Sequence, residues 1–508
     1  MGGEAMDAAP GSPGGAATAR QGGSLGHRLF RADDSAARNF FVITALWLVF
    51  GTAMGLLLAI EFVFPDFMSW LPFVFSRLRQ EHTNTVMFGF LSTGMIGLWY
   101  YILPRLTGRR LWSEPLANLV LALWTGGVLI GVLLISMGHS QSREYAEMVW
   151  GVDIAVLAAL LINLVIVFMT IARRVESKLY VTLWFIIGTA MWMPLLYAIG
   201  NVVWNPPTGA LTGINDAIWN WFYGHNVLGL WFTTGMLGVF YYLLPKETHT
   251  PLYSVKLGLM SFWGTLLFYT GVGGHHLLWA PIPGWLKVTA VAESIGMILP
   301  VTAFFINAVM TMRGNWSRFF SNVSLRFTML GAIAYIIVSF QGTQTALFGM
   351  NSLAHFTQYV PGHSHLGLLF FSGSIVIGGI YYALPRILNC ELYGRRLASV
   401  QWVLYAVGFS FFFIGFTVAG LVQGSNWVMQ GLPVWEVLPG IRVYMALRVF
   451  GGGLMFASFL MMPVIVLGTL AKRLPNPEPH YSFGRQRSAG PDTGQPPLSV
   501  TTAEAEPS

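Results

Sequence analysis

The sequence predicts an all-α integral membrane protein with about twelve spanning helices, and three observations predict it. The chain has 508 residues, 55% of them hydrophobic and only 10% charged, with 19 Trp, a balance that no soluble domain of this size needs. Apolar runs of roughly 20 residues recur along it, the length that crosses the hydrocarbon core of a bilayer. The runs lack the two-residue alternation of a membrane barrel, which leaves a helix bundle.

Taken in order, the runs lie near 40–61, 83–104, 115–137, 151–172, 179–203, 218–244, 252–279, 286–312, 325–349, 364–385, 399–422 and 443–471. They form one domain over 39–473. The flanks, 1–38 rich in Gly, Ala and Ser and 474–508 rich in Pro, Gly and Ser, read as disordered tails. The first run is too long for a cleaved signal peptide and is expected to remain as the first helix. Arg105, Arg109, Arg110, Arg173, Arg174, Lys178, Lys246, Lys256, Arg313, Arg318, Arg326, Arg386, Arg395 and Arg396 fall in alternate loops, and the opposite loops hold few cations. By the positive-inside rule both termini face the cytoplasm. The net charge of +7 is therefore topology rather than a nucleic-acid surface. The single cysteine, Cys390, excludes a disulfide framework, a Cys-rich metal site and any covalent heme attachment.

With that orientation, six of the eleven histidines fall in the outer half of the bilayer on four helices: His82, His225, His275, His276, His363 and His365. Polar, metal-competent residues at membrane depth are costly to keep there and mark function. His363 and His365 are two residues apart at the head of a helix and so point about 200° apart, which lets one helix serve a centre on each flank. Two imidazoles on opposite faces of a porphyrin make a low-spin heme. A heme with one axial histidine keeps an open face, opposite which three imidazoles can hold copper. Six histidines divide as two, one and three. Tyr269 precedes His276 by seven residues, about two helical turns, so both are expected on one face, where a phenol can give a proton and an electron.

These residues resemble those of the catalytic subunit I of the heme-copper oxidases, specifically the C-type or cbb3-type cytochrome c oxidases. The resemblance is carried by Arg77-Leu78-Arg79 with His82-Thr83, Arg143-Glu144-Tyr145-Ala146-Glu147, Trp221-Phe222-Tyr223-Gly224-His225-Asn226, Tyr269 with His275-His276, and Gly362-His363-Ser364-His365. It implies the twelve-helix subunit I bundle and reduction of O2 to water with electrons from cytochrome c. It implies His82 and His365 as ligands of a low-spin heme b, His363 as ligand of a high-spin heme b, and His225, His275 and His276 as ligands of a copper ion. Tyr269 would be cross-linked to His225. Arg79 and Arg448 resemble arginines that neutralise heme propionates, for which a bidentate guanidinium suits. Glu144 and Glu147 lie where the family places a calcium ion. Tyr241, Asn307 and Tyr335 fall along its proton path from the cytoplasm. Partner subunits carrying c-type hemes are expected, because this chain has no covalent-heme motif.

The chain also departs from the family. Phe340-Gln341-Gly342 stands where Phe-Glu-Gly is usual, and Gln does not titrate. Glu293 lies within the eighth span near the depth of the site, as acidic residues do in the related nitric oxide reductases. Those enzymes hold non-heme iron, lack the tyrosine and carry Glu four residues after the sixth-span histidine, where this chain has Gly229. An oxidase is the expected function, with a nitric oxide reductase as the alternative and a non-catalytic heme or gas sensor as a second one.

Overall fold

The computed structural model of the chain describes residues 24–68, 70, 72–203 and 211–474. Twelve helices in it are long and apolar enough to cross a membrane. They are α1 (Ser35–Glu61), α2 (Phe75–Thr107), α3 (Glu114–Ser136), α4 (Trp150–Ala172), α5 (Val181–Val202), α6 (Gly213–Thr248), α7 (Val255–Leu277), α8 (Gly284–Met312), α9 (Val323–Ala346), α10 (Tyr359–Leu388), α11 (Arg395–Val428) and α12 (Val434–Lys472). Of the expected tails, 1–23 and 475–508 lie outside the described residues. Residues nearer the bundle are ordered: a short helix, Leu25–Phe30, precedes α1, which begins at Ser35.

Several helices start earlier than hydropathy indicates, because polar first turns find partners. The stretch Phe75–Asn84 is polar yet helical. Within it Arg77 donates to the Ser136 carbonyl at 2.8 Å, Glu81 accepts from the Ser136 hydroxyl at 2.7 Å, and Asn84 donates to Glu147 at 3.1 Å. His82 is thereby carried inside α2 rather than at its edge.

The interior helices are α2, α6 and α10, buried over 94%, 89% and 78% of their apolar windows, against 61% at most for any other. All three have the same plan. A histidine-bearing turn is followed by a π-helical segment, Thr85–Leu91, Val227–Thr233 or Leu366–Gly373. Near the end of each segment a hydroxyl donates to the carbonyl five residues back: Ser92 to Met87 at 2.9 Å, Thr233 to Leu228 at 3.0 Å, Ser372 to Gly367 at 3.2 Å. These bonds satisfy acceptors that the wider turn leaves off the ordinary ladder. Each helix then ends in Tyr-Tyr-x-Leu-Pro followed by a cation: Tyr100 to Arg105, Tyr241 to Lys246 and Tyr381 to Arg386.

The second tyrosines of the three motifs meet on a common axis. Tyr101–Tyr242, Tyr101–Tyr382 and Tyr242–Tyr382 have ring centroids 6.3, 6.3 and 6.2 Å apart, all edge to face. Such contacts add to the area buried. Arg105 lies over Tyr101 at 3.7 Å and Arg386 over Tyr382 at 3.5 Å. Around this centre the outer helices pack through small residues. On α11 and α12, an added Cβ at Gly451 would sit 2.4 Å from the Gly408 carbonyl oxygen, so the two backbones touch there.

Candidate functional site

Two cavities flank the first turns of α10. One, of about 370 Å³, has His363 on one wall and His225, His275 and His276 on another. The second, of about 270 Å³, is bounded by His82, His365, Arg79 and Arg448. Glu144, Tyr145, Pro361 and Ser364 border both. His363 and His365 thus face different chambers from one turn of helix.

In the smaller cavity the rings of His82 and His365 are nearly parallel, 15° apart, with centroids separated by 6.0 Å. Two metal–nitrogen bonds of about 2 Å, plus roughly 1 Å from each nitrogen to its ring centre, give about 6 Å, so one metal atom fits between them. Nδ1 of His82 lies 2.8 Å from the Gly51 carbonyl and Nδ1 of His365 lies 2.7 Å from that of Pro361. Carbonyls only accept, so each Nδ1 carries the proton and Nε2 is left as ligand. The ring of His82 reaches this position because α1 carries Gly55, where a Cβ would lie 2.5 Å from its Cε1. Arg448 is buried with Nε and Nη1 lacking partners, and its guanidinium lies 4.3 Å from the Phe416 ring centre. A buried cation with unpaired donors requires an anion, which a propionate would supply.

In the larger cavity, ligand atoms of His225, His275 and His276 lie within 4.8 Å of one another. His275 Nδ1 is held by the Ser294 hydroxyl at 3.0 Å, which leaves its Nε2 free. Nδ1 of His225 and Nε2 of His276 are buried without partners. Three convergent imidazole nitrogens, two of them orphaned, fit a borderline transition-metal ion such as copper. Trp221 stacks on His276 with centroids 3.7 Å apart and fixes that ring. His363 lies on the opposite wall, its Nδ1 3.0 Å from Gln341 Oε1.

Tyr269 reaches this group by a route other than helical spacing. The α-helical part of α7 ends at Tyr269, and His275 and His276 lie on a 3₁₀ turn, Val272–Leu277. Three glycines, Gly271, Gly273 and Gly274, loosen the chain between them, so two turns of α-helix do not separate Tyr269 from His276. The phenol ring lies beside His225, with centroids 5.1 Å apart at 28°. It lies over Gly229, where a Cβ would fall 1.8 Å from its Cε1.

The remaining candidates are placed as follows. Arg79 pairs with Glu144 at 3.5 Å and Glu147 at 3.4 Å, and Glu147 also accepts from Asn84. Burial pushes the Glu147 carboxyl above the usual carboxylate range, opposed by Arg79 and Asn84. Tyr241 and Tyr335 have buried hydroxyls without partners, with the ring of Phe304 between them. Asn307 binds both the N–H and the C=O of Ser254, at 3.0 and 2.8 Å, and so anchors the start of α7. Glu293 lies against Gly271, where an added Cβ would be 2.3 Å from its Oε2, and is not among the residues bordering the cavity. His355 follows the short helix Phe348–Ala354. The structure brings it to the larger cavity, its ring 6.5 Å from that of His276, with burial pushing the imidazole pKa down. No spacing pattern marks it, whereas the threefold Tyr-Tyr-x-Leu-Pro repeat was a legible sign that α2, α6 and α10 are equivalent.

Residues 35–454 match the family model described as cytochrome c and quinol oxidase polypeptide I. The chain is 29% identical over 437 residues to the cbb3-type cytochrome c oxidase subunit CcoN1 of Stutzerimonas stutzeri, covering 84% of this chain and 92% of that protein. It is 29% identical over 406 residues to cytochrome c oxidase subunit 1 of Rhodobacter capsulatus, covering 78% and 76%. A solved heme-copper terminal oxidase dimer shares the fold, with a TM-score of 0.74 at 17% identity over 88% of this chain and 85% of that one.

Proposed function

Since the chain belongs to the cytochrome c and quinol oxidase polypeptide I family, that of heme-copper oxidase subunit I, we propose that it is the catalytic subunit of a terminal respiratory oxidase. It takes electrons originating from cytochrome c through partner subunits carrying c-type hemes and reduces O2 to water, coupled to proton translocation. The reading places it in the bacterial inner membrane, lipid-embedded, with both termini cytoplasmic.

When bound, the two hemes and the copper ion supply the electron route and the pair of metals at which dioxygen is reduced. His82 and His365 would hold the low-spin heme b, His363 the high-spin heme b, and His225, His275 and His276 the copper ion. Arg448, whose Nε and Nη1 lack partners, and Arg79 would neutralise heme propionates. Glu144 and Glu147, both paired with Arg79 here, would supply oxygen ligands to calcium. Tyr269 donates a proton and an electron from its hydroxyl beside His225. Protons reach it from the cytoplasmic side by way of Tyr241 and Tyr335, whose orphaned hydroxyls call for water partners. Asn307 steadies the entrance to that path, and Glu293 stands beside its upper end.

The observation that carries the reading is Tyr269 lying over Gly229 against His225. An iron-binding Glu at 229 would need the space that the phenol ring fills. This favours copper and O2 over non-heme iron and nitric oxide.

The test is metal analysis of the purified complex with O2 and NO uptake by the same reduced sample. Copper at about one per two of the non-covalent hemes, with rapid reduction of O2 to water, is the expected result. Non-heme iron with NO consumed to nitrous oxide would assign the chain to the reductases. Heme without turnover of either gas would make it a sensor.

A further inference from the structure

The Nδ1 atoms of four of the six site histidines are tied to four different acceptors. Those of His82 and His365 meet backbone carbonyls, that of His275 a hydroxyl, and that of His363 the side-chain amide of Gln341. Gln341 comes from a different helix, α9, and is buried. Its neighbour Gly342 has no side chain to hold the ring away: a Cβ there would be 3.2 Å from His363 Cε1. The imidazole of His363 is therefore seated on α9 at positions 341 and 342, with its free Nε2 left for the cavity.

The partner of the second ring nitrogen fixes the tautomer and orientation of a ligand histidine and tunes its basicity. A carboxylate acceptor makes a charge-assisted bond about twice as strong as a neutral one and draws the Nδ1 proton toward itself. An amide oxygen is neutral and accepts the same proton weakly. We propose that Gln341 is a positioning residue for His363: its amide oxygen orients the ring and keeps the imidazole a neutral, moderate donor. The electron richness of the high-spin centre is then set by α9, independently of the low-spin centre, whose ligands rest on backbone. The resembling family usually has Glu at this position, so this chain should differ from it in proximal donor strength. The inference rests on the assignment of His363 as axial ligand.

The experiment is resonance Raman spectroscopy of the reduced, oxygen-free complex, reading the iron–histidine stretching band of the five-coordinate heme at alkaline pH. Gln341→Glu is expected to move the band to higher frequency and the high-spin midpoint potential to more negative values. Gln341→Leu is expected to move the band to lower frequency, with the low-spin heme spectrum unchanged in both. An identical band in the wild type and Gln341→Glu overturns the inference, and this comparison decides alone where the leucine variant does not accumulate. His363→Ala should abolish the band. If the band persists in that variant, the ligand assignment fails and the inference with it, whereas an unshifted band that His363→Ala still abolishes overturns only the role of Gln341.

Discussion

Gly229 contributes space. With any side chain at 229, the ring of Tyr269 has to leave its place beside His225, since a Cβ would lie 1.8 Å from the phenol carbon. Gly229→Ala and Tyr269→Phe are therefore expected to fail alike. Each should lower O2 uptake by about 10²-fold or more, as loss of a positioned proton donor does, while both heme spectra persist. Normal uptake in Tyr269→Phe would remove the phenol from the mechanism. The six histidines stand out in the sequence because imidazoles are rare at membrane depth, and Tyr269 only by its closeness to His275 and His276. Their partners were not legible there. Gly51, Pro361, Ser294 and Gln341 each settle which nitrogen of a histidine is free, through contacts spanning 31, 4, 19 and 22 residues of chain.

At the scale of single helices, the π-helical segments decide where histidines point. A residue accommodated by a wide turn rotates everything before it by about 100° relative to an unbroken α-helix. Deletion of Leu228, whose carbonyl accepts from Thr233, should restore the α ladder in α6 and swing His225 away from His275 and His276. The expected result is loss of copper by elemental analysis with helicity and both hemes retained, and full copper content would show that the segment does not aim the residue. Apolar periodicity predicts the span but is blind to such a segment, since its residues are as apolar as their neighbours. The same limit applied to α7, where regular spacing assumed an unbroken helix from Tyr269 to His276 and the chain passes through a glycine-rich 3₁₀ turn.

For the molecule as a whole, the three interior helices converge at one end on Tyr101, Tyr242 and Tyr382 and diverge at the other to hold the cavities. The triad is the point where the three helices are tied together, remote from every histidine ligand in sequence. Tyr242→Ala leaves a cavity on the axis and should destabilise the bundle by about 3 kcal/mol. Thermal unfolding of the detergent-solubilised complex reads this directly: a fall in the midpoint with heme spectra intact below it is expected, and an unchanged midpoint would make the triad dispensable.

The sequence by itself determined the helical class, the number of spans and the identity of the metal-competent side chains, because hydropathy and the cost of polar groups in lipid act on local composition. Tertiary structure alone decided what each of those side chains rests against and which nitrogen it leaves free. It set the rings of His82 and His365 parallel 6.0 Å apart, laid Tyr269 over Gly229, put Glu293 against Gly271 and brought His355 to the larger cavity. The physical reason is that aim depends on the rotation of each helix. That rotation is set by wide turns, glycine contacts and hydrogen bonds between distant segments, none of which alters the apolar pattern along the chain.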